Sequence, residues 1–234
     1  MARVSGKRHA ANLKLKPAGP VEAGDAIKAI KSFKVPKFDQ TINVCMTLGI
    51  DVKQADQMVR GSVSLPRGIG KSKRVIAFCQ SDVAVKATEA GAIKAGGEEL
   101  VSEVERGFMD FDVVVASPDM MRVVSKLGKV LGPKGLMPSP KNGTVTADVA
   151  QAVKEFSAGK VEYKADKTGN VHAVIGKMSF APDALEENLS HFITTIERAK
   201  PASTKGIYIK KITVSGAMTP GVQVRYVNQQ AEAV

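Results

Sequence analysis

Thr41–Leu48 reads TINVCMTL, and this stretch is the clearest indication of how the chain folds. Every second residue from Ile42 to Leu48 is large and apolar, and the alternate positions from Thr41 to Thr47 hold Thr, Asn, Cys and Thr. Alternation with a period of two is typical of a strand that has one face on a core and the other toward solvent. The segment therefore predicts a half-buried strand.

The segments on either side of this strand have patterns of their own. Val21–Phe33 repeats apolar residues at helical spacing, which predicts a helix. Gly61–Leu65 is a short strand that ends at Pro66. The pattern of apolar and polar residues changes near Arg67.

The middle of the chain consists of apolar runs that alternate with helical segments. Arg74–Cys79 (RVIAFC) and Phe111–Ser117 (FDVVVAS) are nearly continuous apolar runs, which suit strands that helices cover on both faces. Helices are expected at Asp82–Ala90, at Glu98–Arg106, from Pro118 onward and at Asp148–Ser157. Strands that alternate with helices indicate a parallel sheet in a doubly wound domain.

Alternation with a period of two returns beyond Lys160. Val161 and Tyr163 alternate with charges, and the residues DKTG at Asp166–Gly169 are typical of a turn. We expect Val171–Met178 to be the partner strand of this hairpin. The remaining expected elements are a helix from Pro182 that Pro201 ends and a strand at Tyr208–Val214.

The distribution of charge suggests how these pieces combine. Residues 1–66 hold 11 basic and 5 acidic residues and residues 160–234 hold 10 and 7, whereas residues 67–159 hold 13 and 11. Neither terminal piece has enough predicted strands for a stable sheet of its own. We therefore predict an α+β domain built from residues 1–66 plus 160–234, with an inserted Rossmann-like three-layer α/β/α domain at residues 67–159.

The formal net charge of +11 favours a polyanionic partner, with nucleic acid first and an anionic membrane as the alternative. No apolar run is long enough to span a bilayer, and the basic N-terminal segment has no apolar core of a secretory signal. That segment fits either an organelle transit peptide or a basic arm that faces RNA. Cys45 and Cys79 are expected to be buried, reduced thiols of a cytoplasmic protein.

The motifs of enzymes are incomplete in this sequence. Gly70-Lys71-Ser72 resembles part of a phosphate-binding loop, but Leu65 stands where that motif needs a glycine, and the segment leads into a strand. Neither strand of the middle domain is followed by the dinucleotide-binding glycine pattern, and the three histidines do not cluster. We expect no catalytic site, no metal and no cofactor; the alternative is an enzyme that binds a nucleotide in the middle domain.

Leu127–Pro140 (LGKVLGPKGLMPSP) is the most distinctive segment. Its three prolines and three glycines prevent a helix from continuing to its end. Lys129, Lys134 and Lys141 make it basic, so it is either a rigid loop rich in turns or a loop that contacts phosphates as a secondary RNA site.

Four stretches of the chain resemble, in order, the bacterial-type ribosomal protein L-one family, a component of the mobile stalk of the large ribosomal subunit. They are PKFDQTINVCMTLGID, DQMVRGSVSLPRGIGK, MDFDVVVASPDMMRVVSKLGKVLGPKGLMPSPKNGTV and KGIYIKKITVS. The resemblance implies a domain built from both chain ends, which binds stalk rRNA, and an inserted Rossmann-like domain. It also implies assistance in the release of deacylated tRNA from the exit site, and translational repression through binding of the protein's own mRNA.

The resemblance also implies which residues contact RNA. They are Lys37, Phe38, Asp166, Lys167, Thr168 and Met218, with Lys210 and Lys211 as nearby phosphate contacts. Without the resemblance, an isolated Phe38 would be expected in the core. The chain departs from the family pattern at Ala165, Ala217 and Thr219, which puts the affinity for RNA in question. Because aromatic residues make up only 5% of the chain, we expect recognition of RNA shape rather than a platform that stacks single-stranded bases.

Overall fold

The computed structural model describes residues 6–226. Its α-helices are α1 (Lys7–Leu15), α2 (Ala23–Ser32), α3 (Ser81–Glu89), α4 (Glu98–Glu105), α5 (Met121–Val124), α6 (Gly128–Leu131), α7 (Val149–Ser157) and α8 (Pro182–Arg198). Its strands are β1 (Thr41–Leu48), β2 (Arg60–Val63), β3 (Val75–Phe78), β4 (Lys94–Gly96), β5 (Val113–Ala116), β6 (Val161–Lys164), β7 (Asn170–Lys177), β8 (Ile209–Gly216) and β9 (Val222–Val224). This confirms the mixed α/β composition that the sequence predicts. Within the described range, no helix is long and apolar enough to cross a membrane.

The chain divides into two compact units. The first takes the residues up to Gly70 together with those from Tyr163 onward, and the second is Lys71–Glu162. With these boundaries the first unit holds 21 Lys and Arg against 11 Asp and Glu, and the second holds 13 against 12. The first unit therefore accounts for +10 of the formal net charge of +11.

The first unit contains a four-stranded antiparallel sheet in the order β7-β1-β8-β9. Strand β1 alternates between buried and half-buried residues along its whole length, as its sequence predicts. Helices α2 and α8 contact each other and the sheet, and their buried residues include Ile27, Ile30, Leu189 and Phe192. One face of the sheet is therefore covered by helices.

A buried asparagine fastens α8 to two other parts of this unit. The Asn188 side chain is fully buried, and its Nδ2 donates to Gly68 O at 3.0 Å and to Ile175 O at 2.8 Å. Its Oδ1 accepts from Arg67 N at 3.1 Å. The Arg67 guanidinium also pairs with Glu187 on the exposed side of the helix, at 2.6 Å. The chain just before Gly70-Lys71-Ser72, the stretch that resembles part of a phosphate loop, is thus tied to α8, and that stretch leads into β3 rather than into a helix.

The second unit has a parallel sheet in the order β4-β3-β5, with an apolar cluster on each face. Successive residues of β3 alternate between the clusters: Val75 and Ala77 pack with Phe156 of α7, and Ile76 and Phe78 pack with residues of α4, α5 and α6. Helices therefore cover both faces, which explains why these strands have no polar side in the sequence.

The predicted hairpin after Lys160 is wrong in its pairing. Strand β6 pairs with β2 in a separate two-stranded sheet, and β7 pairs with β1. The two arms meet beside the turn, through the isolated bridge between Ala165 and Val171 and through hydrogen bonds between Asp166 and Asn170. The apolar face of β7 is buried against the helices only if β7 lies beside β1, and this long-range requirement overrides the local turn signal.

Three further elements were not predicted, namely α1, β4 and β9, because each is short or lacks an apolar face. Helix α1 is mostly exposed, but its buried Asn12 bonds to both Lys34 O and Lys34 N, at 3.0 and 2.9 Å.

Both cysteines are free thiols; Cys79 is buried as expected, whereas Cys45 is only half-buried because it lies on the polar face of β1.

Substituting Asn188 with Ala should lower the free energy of unfolding of the first unit by about 3 kcal/mol, because it removes one buried hydrogen bond, to Ile175 O, and two partly buried ones, to Arg67 N and Gly68 O. The chain has three tyrosines and no tryptophan, and all three tyrosines belong to the first unit. Urea unfolding followed by tyrosine fluorescence therefore reports on this unit alone. The control is Thr194→Ala on the exposed side of α8, and equal stability of the two variants would contradict the anchoring role of Asn188.

Candidate nucleic-acid interface

The four-stranded sheet has a polar face that none of its helices covers. Residues paired across neighbouring strands share a face, so the partners of the half-buried positions of β1 lie beside them. The face comprises Thr41, Asn43, Cys45 and Thr47 of β1, Asn170, His172, Val174 and Lys177 of β7, Lys211, Thr213 and Ser215 of β8 and Gln223 of β9. We call this surface the open face. It spans roughly 25 Å along β1, whose 8 residues rise by about 3.3 Å each.

Phe38 lies at the end of the open face where β1 begins, and its side chain is 54% exposed. The residues after it are fastened in place. Asp39 accepts from the backbone N and the hydroxyl of Ser179, at 3.1 and 2.9 Å, and Gln40 O accepts from Met178 N at 2.8 Å. The expectation that an isolated phenylalanine is a core residue is therefore wrong here. An exposed aromatic ring beside a fixed backbone can pack against a ligand, and the exposed Lys37 is adjacent to it in the chain.

Met218 lies at the same end of the sheet and is 51% exposed. Its backbone N donates to Oε1 of the fully buried Gln40 at 2.7 Å. The turn that presents it is closed by Thr219, whose Oγ1 accepts from Gly216 N at 2.9 Å. Thr219 departs from the family pattern, and its hydroxyl has a structural use in this chain. Ala217 contributes its backbone N to Thr41 O, at 3.1 Å.

Asp166 organises the turn at the opposite end of the open face. Its Oδ1 accepts from Thr168 N, Thr168 Oγ1 and Asn170 N at 2.8, 2.7 and 2.8 Å. The hydroxyl of Thr168 and the backbone N–H of Asn170 hold the pKa of the Asp166 carboxyl well below its usual range. The carboxylate and the hydroxyl are thus used mainly to shape the turn, while the side chain of Lys167 stays exposed.

A β-bulge places two lysines near this turn. The register between β1 and β8 shifts after Thr47, which pairs with Lys211, so Lys210 is an additional residue and both lysines are exposed. Lys211 is on the open face. His172 is on the same face, with its Nε2 3.7 Å from Asp166 Oδ2. The predicted RNA contacts of this unit therefore form two groups, one at each end of the open face.

The segment after α1 borders the open face along its β8–β9 side. Lys16–Gly19 line a cavity of about 100 Å³ together with Lys211, Thr213 and Gln223. A basic residue of the N-terminal region, Lys16, therefore lies beside the polar face. Met1–Ser5 lie outside the described residues.

Lys129, Lys134 and Lys141 belong to the second unit and are all exposed. The segment that holds them is helical from Gly128 to Leu131, as the sequence allows, and then turns. Leu127 and Leu131 are fully buried, and Thr144 Oγ1 accepts from Ser139 N at 2.8 Å. A well-anchored backbone thus presents these lysines.

The second unit has a crevice at the carboxyl ends of β3 and β5, where an open parallel sheet usually binds ligands. The crevice has a volume of about 230 Å³, and its lining includes Cys79, Ser117, Asp119 and Val149. Among the lining residues that the structure describes, Asp119 is the one that carries a charge, and its carboxylate disfavours a phosphate. The crevice therefore gives little support to the alternative of an enzyme that binds a nucleotide. Among the described residues, no group of three or more potential ligands could hold a metal ion.

Substituting Thr168 with Val should raise the pKa of the Asp166 carboxyl toward its ordinary value of 3.8, because the largest cause of the shift is the Thr168 hydroxyl. A carboxyl with a lowered pKa stabilises the fold fully above the ordinary value, and this contribution is lost as the pH falls through the lowered pKa. Carboxyl ¹³C chemical shifts measured against pH test this, with Thr194→Val as the matched control. An unchanged Asp166 pKa in the Thr168 variant would show that the hydroxyl does not hold the turn.

The chain is similar to known proteins over nearly its whole length. Residues 30–220 match the model of the ribosomal protein L1p/L10e family. The large ribosomal subunit protein uL1 of Solibacter usitatus (strain Ellin6076) is 51% identical over 225 residues, which cover 96% of this chain and 95% of that protein. The protein of the same name from Burkholderia cenocepacia (strain HI2424) is 48% identical over 232 residues, which cover 99% of this chain and 100% of that protein. A match over most of the residues of both units leaves no ambiguity, and the chain belongs to the ribosomal protein L1p/L10e family.

Proposed function

We propose that this protein is a structural component of the large ribosomal subunit that binds stalk rRNA through the open face of its first unit. The observation that carries the proposal is the exposure of Phe38 and Met218, 54% and 51%, at one end of a polar sheet face. Exposed large apolar side chains on fixed backbone are typical of a binding surface. The charge of +10 on the same unit supports a polyanion as the partner.

The chemistry of the open face suits the shape of RNA. The major groove of an A-form helix is too deep and narrow for side chains, so proteins contact phosphates, 2′-hydroxyls and unstacked junctions. Hydroxyl and amide groups such as those of Thr213, Ser215 and Asn43 can exchange hydrogen bonds with 2′-hydroxyls. Lys37 at one end and Lys210 and Lys211 at the other can neutralise phosphates, while Phe38 and Met218 pack on sugar or base.

Two further roles rest on the family resemblance. The protein assists release of deacylated tRNA from the exit site, and it represses translation by binding its own mRNA where that RNA folds like the stalk. A single RNA-binding surface supports the second role, because two RNAs that need the same face must compete for it. The exposed Lys129, Lys134 and Lys141 of the second unit are available for a secondary RNA contact.

Substituting Phe38 or Met218 with Ala should weaken binding of a stalk-rRNA fragment by about 10- to 100-fold, which corresponds to the loss of a packed base or sugar. The measurement is fluorescence anisotropy with the full chain. The matched control is Val85→Ala in α3 of the second unit, since Val85 is a comparably exposed apolar residue, at 63%. If the Phe38 and Val85 variants bind equally well, the open face is not the RNA site.

Substituting Lys211 with Gln should reduce the slope of log affinity against log salt by about one, as expected for one lost phosphate contact. The same substitution should affect the stalk fragment and the leader of the protein's own mRNA alike. Competition between the two RNAs for the wild-type protein completes the test. Simultaneous binding of both RNAs to one protein molecule would contradict the proposed route to repression.

A further inference from the structure

A groove with basic rims lies next to the Asp166 turn, and it extends from the predicted contacts Asp166 and Lys167 to residues outside the predicted set of RNA contacts. Its volume is about 610 Å³, within the range of roughly 300–1,000 Å³ that is usual for small-molecule sites. One wall is the segment after β1, with Val52, Lys53 and Met58. The other is the end of β6 and the turn, with Lys164 and Lys167.

Hydrogen bonds fix the walls of the groove. Ala165 N donates to Val59 O at 2.8 Å, which joins the two walls at one point. The first wall is braced by Gln57, whose Oε1 accepts from Asp51 N and whose Nε2 donates to Gln54, both at 2.8 Å. The groove is therefore formed before any ligand binds, which reduces the entropy lost on binding.

The lining combines an apolar floor with unpaired cations. Met58 is 43% exposed, and a thioether side chain packs readily against an aromatic ring. Lys53, Lys164 and Lys167 are all exposed, and none forms an ion pair with a carboxylate of the described residues. Apolar surface between free ammonium groups is the combination that a nucleotide needs, since the base packs on the floor and the phosphate meets the lysines.

Asp166 lines the groove, and its carboxylate can select between bases. Its Oδ1 is occupied by the turn, whereas the one partner of its Oδ2 among the described residues is His172, whose Nε2 lies 3.7 Å away. A carboxylate oxygen accepts from the amino group of cytosine and is repelled by the carbonyl oxygen that uracil has at the same position. The lowered pKa of this carboxyl keeps it an acceptor at neutral pH.

We infer that this groove binds one unpaired nucleotide of the RNA held on the open face, and that it prefers cytidine to uridine. The inference rests on the proposed function, because the groove adjoins the open face at the Asp166 turn. The groove would be a second contact site, where the protein recognises a single extruded base. It lies some 25 Å from Phe38 along the sheet, because the 8 residues of β1 rise by about 3.3 Å each. Unpaired bases are the parts of a folded RNA whose edges a protein can read.

The test uses the full chain labelled with ¹³C at its methionine methyl groups, titrated separately with cytidine monophosphate, uridine monophosphate and inorganic phosphate. Cytidine monophosphate should shift the Met58 methyl resonance, and the resonance of Met109 in the second unit should stay in place as the internal control. Uridine monophosphate should bind about fivefold more weakly, which corresponds to one lost hydrogen bond. Met58→Leu assigns the resonance, and Asp166→Asn should reduce the preference for cytidine.

Equal shifts with both nucleotides and with phosphate would overturn the selectivity, and no Met58 shift with any of them would overturn the groove as a nucleotide site. A parallel titration with the stalk-rRNA fragment separates this inference from the proposed function. If the fragment binds in a Phe38-dependent way but leaves Met58 unmoved, the groove inference fails and the proposed function stands. If cytidine monophosphate binds but the stalk fragment does not, the proposed function fails, and RNA is not the source of the nucleotide.

Discussion

The structure of the first unit depends on the pairing of β1 with two strands that lie more than 120 residues later in the chain. Strand β1 sits between β7 and β8, with Thr47 opposite both Asn170 and Lys211. Because residues alternate in direction along a strand, this pairing sends the apolar residues of all three strands to the helices and leaves their polar residues on the open face. A shift of one residue in this register would bury the polar groups and remove the candidate site.

The same pairing explains why the surface is fixed at its two ends. At the start of β1, the neighbouring strand ends hold the segment with Phe38 through Asp39 and Gln40. At the end of β1, Leu48 N donates to Gly169 O at 2.9 Å, which attaches the Asp166 turn. Gly169 has a φ of +80°, a conformation that a residue with a side chain rarely adopts. The candidate RNA contacts are thus attached to the rigid sheet although most of them lie outside its strands.

The alternation of Thr41–Leu48 is sufficient to predict β1 and its buried face. A strand that buries only one face carries apolar residues at every second position, and this pattern can be read from the strand's own sequence. The partner of β6 could not be predicted, because a turn at Asp166–Gly169 fits a local hairpin as well as the long-range pairing observed. The family resemblance identified Phe38, but its exposure depends on tertiary contacts of Asp39 and Gln40. The groove at Met58 was missed because its walls meet only through the bond between Ala165 and Val59.

Alkylation of Cys45 in the native chain tests most directly whether the open face binds stalk rRNA. The chain has two cysteines, of which Cys45 lies half-buried in the middle of this face, and Cys79 is fully buried in the second unit. Burial raises the pKa of the Cys45 thiol, so the reaction is best followed at about pH 9, where more of the reactive thiolate is present. The account predicts that the stalk-rRNA fragment slows alkylation of Cys45, whereas an unrelated RNA of equal length does not. Equal rates of Cys45 alkylation with and without bound stalk rRNA would contradict it.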